Sequence, residues 1–122
     1  MRDKPYTGSV SSGVFTVEYS GYTPEQLLER LTRIAIDLLL TPKGDHIELY
    51  EPIGFTVALF LKESHILAEV YPEDNLLEFH IGSCKKLTRW QVEMAIDDWL
   101  GKIKGFPVWA EKQFFGWSCG HI

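Results

Sequence analysis

The sequence predicts an α+β domain, a two-layer sandwich in which a mostly antiparallel sheet carries two helices packed on one face. Two observations predict this class. Short segments rich in β-branched and aromatic residues follow one another across brief turns, which is typical of antiparallel strands. Two longer segments repeat apolar residues at helical spacing, one before most of the strands and one after them. We therefore expect the order β-α-β-β-β-β-α, followed by a last strand or an aromatic tail.

The length of 122 residues corresponds to one domain over residues 1–122. Glycine and serine residues between positions 8 and 12 predict a loose N-terminal arm over residues 1–12. Residues 108–122 are expected to form an aromatic C-terminal tail or a last strand. Aromatic residues make up 13% of the chain, which indicates a subunit interface or a flat ligand as well as a core.

The first strand is expected at residues 14–19, where β-branched and aromatic residues dominate. A helix should follow directly. Thr23 can cap it, Pro24 suits the first helical position, and Gln26 lies at the capping-box spacing. Apolar residues then recur at helical spacing as far as Leu38, and the turn residues at 41–44 end the helix.

Four further strands are expected after this helix, at residues 46–50, 55–61, 66–71 and 76–81. The segment 55–61 is a nearly continuous apolar run, which is typical of a central strand. A second helix is predicted over residues 87–103, with Thr88 as its cap and Gln91 at the capping-box spacing. The side chains expected to face the sheet are those of Trp90, Met94, Ile96, Trp99 and Leu100.

Charge and composition exclude several classes of function. A net charge of −5 argues against a nucleic-acid surface, which needs clustered basic residues. No apolar run is long enough to span a membrane and no signal segment is present, so we expect a cytoplasmic protein with reduced Cys84 and Cys119. No glycine-rich phosphate loop is present, which argues against a nucleotide cofactor. Cys119 and His121 make a weak metal pair within a frayed tail, so no metal site is expected.

One segment carries residues suited to chemistry. Ser64 stands between Glu63 and His65, just beyond the apolar strand. A serine in this position is a candidate nucleophile if a base or a strained backbone activates it. His80 and Cys84, on or just after a following strand, are candidates to lie near it. From the residues alone, an ordinary strand-to-strand turn is the simpler interpretation of the same segment.

Three motifs resemble elements of the small bacterial and archaeal S-adenosylmethionine decarboxylase proenzymes. They are Glu63-Ser64-His65-Ile66, Tyr71-Pro72-Glu73 and Cys84. The spacing from Ser64 to the Pro-Glu pair, eight residues, is similar to that of the family. So is the spacing of twenty residues from Ser64 to Cys84. The similarity extends over roughly residues 14–101.

The resemblance implies a self-processing enzyme. In the family the serine attacks the preceding peptide carbonyl, and the chain is cut to leave an N-terminal pyruvoyl group. That carbonyl forms a Schiff base with the substrate and takes up the electrons left by CO2. By this resemblance Glu63–Ser64 is the cleaved bond and Ser64 the pyruvoyl precursor. Cys84 is the acid that reprotonates the substrate, while Thr56, His65 and Glu73 are supporting residues.

One position departs from the family pattern. The family has a histidine five residues after the serine, as the acid-base group for self-cleavage, and here this residue is Glu69. A glutamate moves a proton at neutral pH only if its pKa is raised. His65 and His80 are possible substitutes at other positions. Milder changes are Tyr71, in place of the family's tryptophan, and Ser83, in place of a threonine.

The resemblance predicts a pyruvoyl-dependent S-adenosylmethionine decarboxylase of polyamine (spermidine) biosynthesis that forms homodimers. A related substrate, such as a basic amino acid, fits the same reaction type. Two alternatives follow from Glu69. One is a paralogue that never cleaves and acts as a binding or partner subunit. The other is a pyruvoyl-independent S-adenosylmethionine lyase in which Glu69 is the base.

Overall fold

The computed structural model describes residues 6–116, with the side chains of residues 10–112. These residues form one six-stranded sheet, two α-helices and a 3₁₀ turn. The elements are β1 (Tyr6–Glu18), α1 (Pro24–Asp37), β2 (Pro42–Leu49), β3 (Phe55–Leu61), β4 (Ser64–Tyr71), the 3₁₀ turn (Pro72–Asp74), β5 (Leu76–Ser83), α2 (Arg89–Trp99) and β6 (Ile103–Gly116). The predicted α+β class is confirmed.

The sheet has the order β2-β3-β4-β5-β1-β6, and every neighbouring pair is antiparallel. Strands β2 to β5 follow one another as hairpins. The first strand, β1, then lies between β5 and the last strand, β6. Neither helix within residues 6–116 combines the length and apolarity needed to cross a membrane.

The core lies between the helices and one face of the sheet. Alternation along each strand sends every second side chain to this face, for example Phe15 of β1 and Phe79 of β5, which pack edge to face with ring centroids 6.1 Å apart. Helix α1 contributes Leu31 and Ile34, and α2 contributes Ile96, all with no exposed surface. This packing fixes which strand residues point inward and which point to the opposite face.

Both helices begin where the sequence predicted. Thr23 and Thr88 each accept a hydrogen bond from the backbone N–H of the glutamine three residues later, and each glutamine bonds back to its threonine. These capping boxes satisfy backbone donors that the first helical turn leaves unpaired. Such local contacts explain why helix starts can be read from sequence.

The second helix is shorter than predicted, and its buried face is only partly the predicted one, since Ile96 and Leu100 are buried as expected. It ends at Trp99, because Gly101 adopts φ +137° and the chain turns into β6 at Ile103. Trp90 and Met94, predicted to face the sheet, are 67% and 46% exposed. The buried residues of the helix are Val92, Ala95 and Ile96.

The predicted N-terminal arm and C-terminal tail belong to strands over their described parts. Residues 6–12 are in β1 and residues 103–116 are in β6, and the two pair with each other. Ser11 is buried here, where its hydroxyl accepts from the Leu87 N–H and donates to the Leu87 carbonyl. Small polar residues are typical of loops, whereas long-range pairing makes this segment a strand. Residues 1–5 and 117–122 lie outside the described part.

The sheet face opposite the helices, called the open face below, is crossed by three rows of register-paired residues. The first row is Gly44, Phe60, His65, Gly82, Ser12 and Ala110; the second is His46, Ala58, Leu67, His80, Val14 and Val108; the third is Glu48, Thr56, Glu69, Glu78, Thr16 and Lys104. The middle row is mostly apolar, and the third is mostly polar and charged.

Candidate active site

The two-residue turn between β3 and β4 contains the bond that the resemblance marks for cleavage. Leu61 and Ser64 pair across the hairpin, so Lys62 and Glu63 form its tip. Glu63 has φ +64°. This left-handed conformation costs a residue with a Cβ about 1–2 kcal/mol. The strain therefore lies directly before the Glu63–Ser64 peptide bond, at a place where backbone strain commonly accompanies function.

The carbonyl oxygen of Glu63 has a backbone donor. The N–H of Cys84 donates to it at 3.1 Å. A donor placed on this oxygen polarises the carbonyl and stabilises negative charge that develops there during attack. The backbone N–H of Cys84 therefore supplies one donor of an oxyanion site. It does so whether the Cys84 side chain is reduced or in a disulfide.

The Ser64 hydroxyl is fixed by a second serine. Ser64 and Ser83 are register partners on β4 and β5, and the Ser64 Oγ donates to the Ser83 Oγ at 2.9 Å. Ser83 is only 2% exposed, and its oxygen also accepts from the Lys85 N–H at 2.9 Å. Sequence reasoning noted Ser83 merely as a replacement for threonine. Its contact with Ser64 depends on strand register, which the motif spacing did not reveal.

Cys84 follows β5 directly and is disulfide-bonded in the structure. The disulfide corrects the expectation, drawn from the sequence, that the cysteines are reduced. The chain's other cysteine, Cys119, and the tail residue His121 lie outside the described residues. A disulfide sulfur carries no proton, so a role for Cys84 as an acid requires that this bond first be reduced.

The structure does not bring Glu69 to Ser64. The two residues are five positions apart on β4, which corresponds to roughly 16 Å along an extended strand. Because successive side chains of a strand point to opposite faces and the two residues are an odd number of positions apart, Glu69 points to the open face and Ser64 to the face that carries the helices. Thr56 is the register partner of Glu69 and bonds to the Tyr50 hydroxyl at 2.7 Å.

The two remaining predicted supporting residues are both exposed and lie apart from the Ser64 hydroxyl. The His65 ring lies on the open face over Gly82, where an added Cβ would come within 2.6 Å of the His65 Cε1. Glu73 is in the 3₁₀ turn beyond the far end of β4. Neither side chain has a contact in the structure that links it to the Glu63–Ser64 bond.

A second group of titratable side chains lies on the open face, and sequence reasoning missed it as a unit. Its members are Glu69, Glu78 and His80, each about one-third exposed. The His80 Nε2 lies 2.7 Å from a Glu78 oxygen and 3.6 Å from a Glu69 oxygen. Partial burial raises the pKa of the neighbouring Tyr71 hydroxyl, and the charges of Glu69 and Glu78 raise this pKa further. The signal available in the sequence was the Glu78-x-His80 spacing on one strand face.

Comparison with known proteins supports the resemblance over part of the chain. No family model matches. A curated "S-adenosylmethionine decarboxylase proenzyme" of Clostridium botulinum (strain Hall) is 36% identical over 61 residues, 50% of each chain. The protein of the same name from the Loch Maree strain is 34% identical over 64 residues, 51% of this chain and 53% of the relative. The chain thus spans about half the length of the curated relatives it matches.

The fold is shared with a solved structure over nearly the whole chain. The crystal structure of the adenosylmethionine decarboxylase from Aquifex aeolicus VF5 superposes with a TM-score of 0.61, covering 88% of this chain and 89% of that one. Sequence identity in this superposition is 16%, so the comparison shows a common fold. The predicted resemblance to the S-adenosylmethionine decarboxylase proenzymes is therefore confirmed.

Proposed function

We propose that this chain is a pyruvoyl-dependent S-adenosylmethionine decarboxylase-like proenzyme that cleaves itself at Glu63–Ser64, in the cytoplasm, and serves spermidine synthesis. The observation that carries the proposal is the arrangement of the β3–β4 turn. The Cys84 N–H holds the carbonyl to be attacked, and Ser83 holds the attacking hydroxyl. The strained Glu63 backbone lies between these two contacts.

The first step follows from this geometry. The Ser64 Oγ attacks the Glu63 carbonyl carbon, and negative charge develops on the oxygen that accepts from the Cys84 N–H. The C–N bond then breaks, an ester forms between Glu63 and the Ser64 side chain, and the freed nitrogen takes up the hydroxyl proton. Breaking this peptide bond relieves the left-handed conformation of Glu63, so strain favours the reaction.

The second step cuts the chain. Loss of the Ser64 Cα proton and breakage of its Cβ–O bond release Glu63 as a carboxylate. The remaining dehydroalanine takes up water and loses ammonia. The contacts of the Cys84 N–H with the Glu63 carbonyl and of Ser83 with the Ser64 hydroxyl support this origin of the pyruvoyl group. Once formed, the group supplies an electron sink for decarboxylation of an α-amino acid substrate.

Cys84 has separate roles in the two reactions under this proposal. Its backbone N–H serves self-cleavage, and its side chain serves as the proton donor in decarboxylation, as the resemblance implies. A thiol suits that second role because its ordinary pKa lies slightly above neutral. Since Cys84 is disulfide-bonded in the structure, the proposal makes decarboxylation depend on reduction, whereas self-cleavage does not.

The open face supports a homodimer. It is not covered by either helix, and Phe60 and Val108, which lie on it, are 50% and 68% exposed. A second copy stacked on this face would bury these side chains. Glu69 lies on the open face and the Ser64 hydroxyl on the face of the helices, so this stacking does not bring Glu69 to that hydroxyl.

The test is the intact mass of the freshly purified chain. We expect two fragments that divide between Glu63 and Ser64, the larger carrying a pyruvoyl N-terminus, and one full-length mass for Ser64→Ala. Cys84→Ala should still cleave but release no CO2 from S-adenosylmethionine. Wild-type protein should release CO2 only after treatment with a thiol reductant. A single full-length mass for the wild type, stable over days, would contradict the proposal.

A second candidate function has its own supporting observation. No carboxylate or imidazole among the described residues contacts the Ser64 hydroxyl, whose recorded partner is Ser83. A paralogue that never cleaves and acts as a binding or partner subunit fits this absence, and predicts the single stable mass. The lyase alternative is distinguished by Ser64→Ala, which would leave a Glu69-dependent activity intact.

A further inference from the structure

The cluster of Glu69, Glu78 and His80 on the open face has the composition of a metal site. Two adjacent strands present it, because Glu69 and Glu78 are register partners on β4 and β5, and His80 is two residues along β5 on the same face. One potential ligand atom from each residue lies within 4.8 Å of the other two. The three side chains therefore converge on one point above the sheet.

Electrostatics alone do not explain this arrangement. Like charges that are directly opposite on neighbouring strands destabilise a sheet, yet Glu69 and Glu78 are directly opposite. Within residues 10–112, their ion-pair partner is His80, whose ring is charged only if protonated. Each of the three side chains is about one-third exposed, so solvent screens the repulsion only in part.

We propose that Glu69, Glu78 and His80 bind one divalent transition-metal ion on the open face. Ligand atoms about 2.1 Å from a metal lie about 3.0 to 3.5 Å from one another in tetrahedral or octahedral sites. The His80 Nε2 lies 2.7 and 3.6 Å from the two carboxylate oxygens, which is close to these separations. An ion held there neutralises both carboxylates and leaves the remaining coordination positions to water.

The donor set selects the class of metal. One imidazole nitrogen with two carboxylate oxygens suits Zn²⁺ and its first-row neighbours, whereas Mg²⁺ and Ca²⁺ prefer oxygen ligands alone. The site contains no thiolate, so uptake does not depend on the redox state of Cys84. The inference goes beyond the proposed self-cleavage, because it concerns the open face and not the Glu63–Ser64 bond.

The test is Zn²⁺ uptake by the metal-stripped full chain, measured by equilibrium dialysis and isothermal titration. We expect one Zn²⁺ per chain, not displaced by excess Mg²⁺. His80→Ala and Glu78→Gln should each raise the Kd at least about tenfold. Both positions are partly exposed, and circular dichroism will establish that each variant folds. The same uptake by Ser64→Ala would separate metal binding from self-cleavage.

Two control variants test whether Zn²⁺ binds at other histidines of the chain. His46→Ala removes a second His-Glu pair on a strand, in which the His46 Nε2 and a Glu48 oxygen lie 2.9 Å apart. No third ligand joins this pair among the described residues. His121→Ala removes the tail histidine. Neither change should alter the Kd. The proposal is overturned if the wild type shows no saturable uptake, or if His80→Ala binds Zn²⁺ as tightly as the wild type does.

Discussion

At the scale of single residues, the two ends of the Glu63–Ser64 bond are held by partners that are close in the fold and distant in sequence. The carbonyl is held by the Cys84 N–H, and the hydroxyl by Ser83. The sequence could identify Ser64 and Cys84 through motif spacing. It could not identify the contact with Ser83, because that contact depends on the register of β4 against β5.

The contact between the two serines leads to the first prediction. Ser83→Ala should slow self-cleavage by up to about tenfold, since a hydrogen bond of this kind contributes about 0.5–1.5 kcal/mol. The measurement is a mass-spectrometric time course of the newly made chain. Ser83→Thr, which keeps the hydroxyl, should restore the rate.

The matched control for this prediction is Ser11→Ala. Ser11 is equally buried and is the register partner of Ser83 on β1, but it bonds to Leu87. Its loss should lower stability without changing the cleavage rate. Equal slowing by Ser83→Ala and Ser11→Ala would mean that Ser83 acts through general stability alone.

Backbone strain at Glu63 leads to the second prediction. Glu63→Gly should raise the free energy of unfolding by about 0.5–1 kcal/mol, because glycine accepts a positive φ without steric cost. It should also slow self-cleavage several-fold, because the relief of strain would no longer favour the reaction. Urea unfolding in a Ser64→Ala background and the cleavage time course measure the two effects.

Leu39 is the control for this prediction, because it has a similar left-handed backbone, φ +60°, but lies in the connection after α1 and not beside the Glu63–Ser64 bond. Leu39→Gly should give a similar stabilisation and leave the cleavage rate unchanged. If Glu63→Gly stabilised the chain without slowing cleavage, strain would not contribute to the reaction.

At the scale of elements, the sequence predicted what local contacts decide. The capping boxes at Thr23 and Thr88 set the helix starts, and the apolar run of β3 was recognised with its observed bounds. The first part of β1 was missed because its glycine and serine residues are typical of loops. It is a strand because β6 pairs with it from Tyr6 and β5 pairs with it from Ser11 onward. The pairing with β6 joins residues about a hundred positions apart and leaves no local sequence signal.

The packing of β6 on β1 leads to the third prediction. Gly13 pairs with Trp109, and a Cβ at Gly13 would come within 2.5 Å of the Trp109 ring and 2.9 Å of the buried Phe15 ring. Gly13→Ala should therefore lower the free energy of unfolding by about 1–3 kcal/mol. Gly44→Ala is the control, because nothing lies within 4 Å of its Cβ position. Urea unfolding of both variants is the measurement, and equal effects would contradict close packing of Trp109 over Gly13.

At the scale of the whole molecule, the two helices cover one face of the sheet, and nothing else within residues 6–116 covers the other. An antiparallel sheet can expose one face to water when that face is polar. Here the middle row of the open face includes Ala58, Leu67, Val14 and Val108. Val108 is 68% exposed, and Phe60 in the adjacent row is 50% exposed. A row with apolar residues on four of the six strands fits the proposed homodimer better than it fits a monomer in water.

The proposed homodimer leads to the last prediction. Wild-type protein should have the mass of two chains in size-exclusion chromatography with light scattering, and Val108→Glu should shift it to one chain. An unpaired carboxylate buried between two sheets costs several kcal/mol, whereas the same change on an exposed monomer surface costs little. Trp90→Glu is a close control, because Trp90 is 67% exposed but lies on α2, in the helix layer. A monomeric wild type, or dissociation by both variants alike, would contradict pairing through the open face. A dimer that only Val108→Glu dissociates would make the open face the interface.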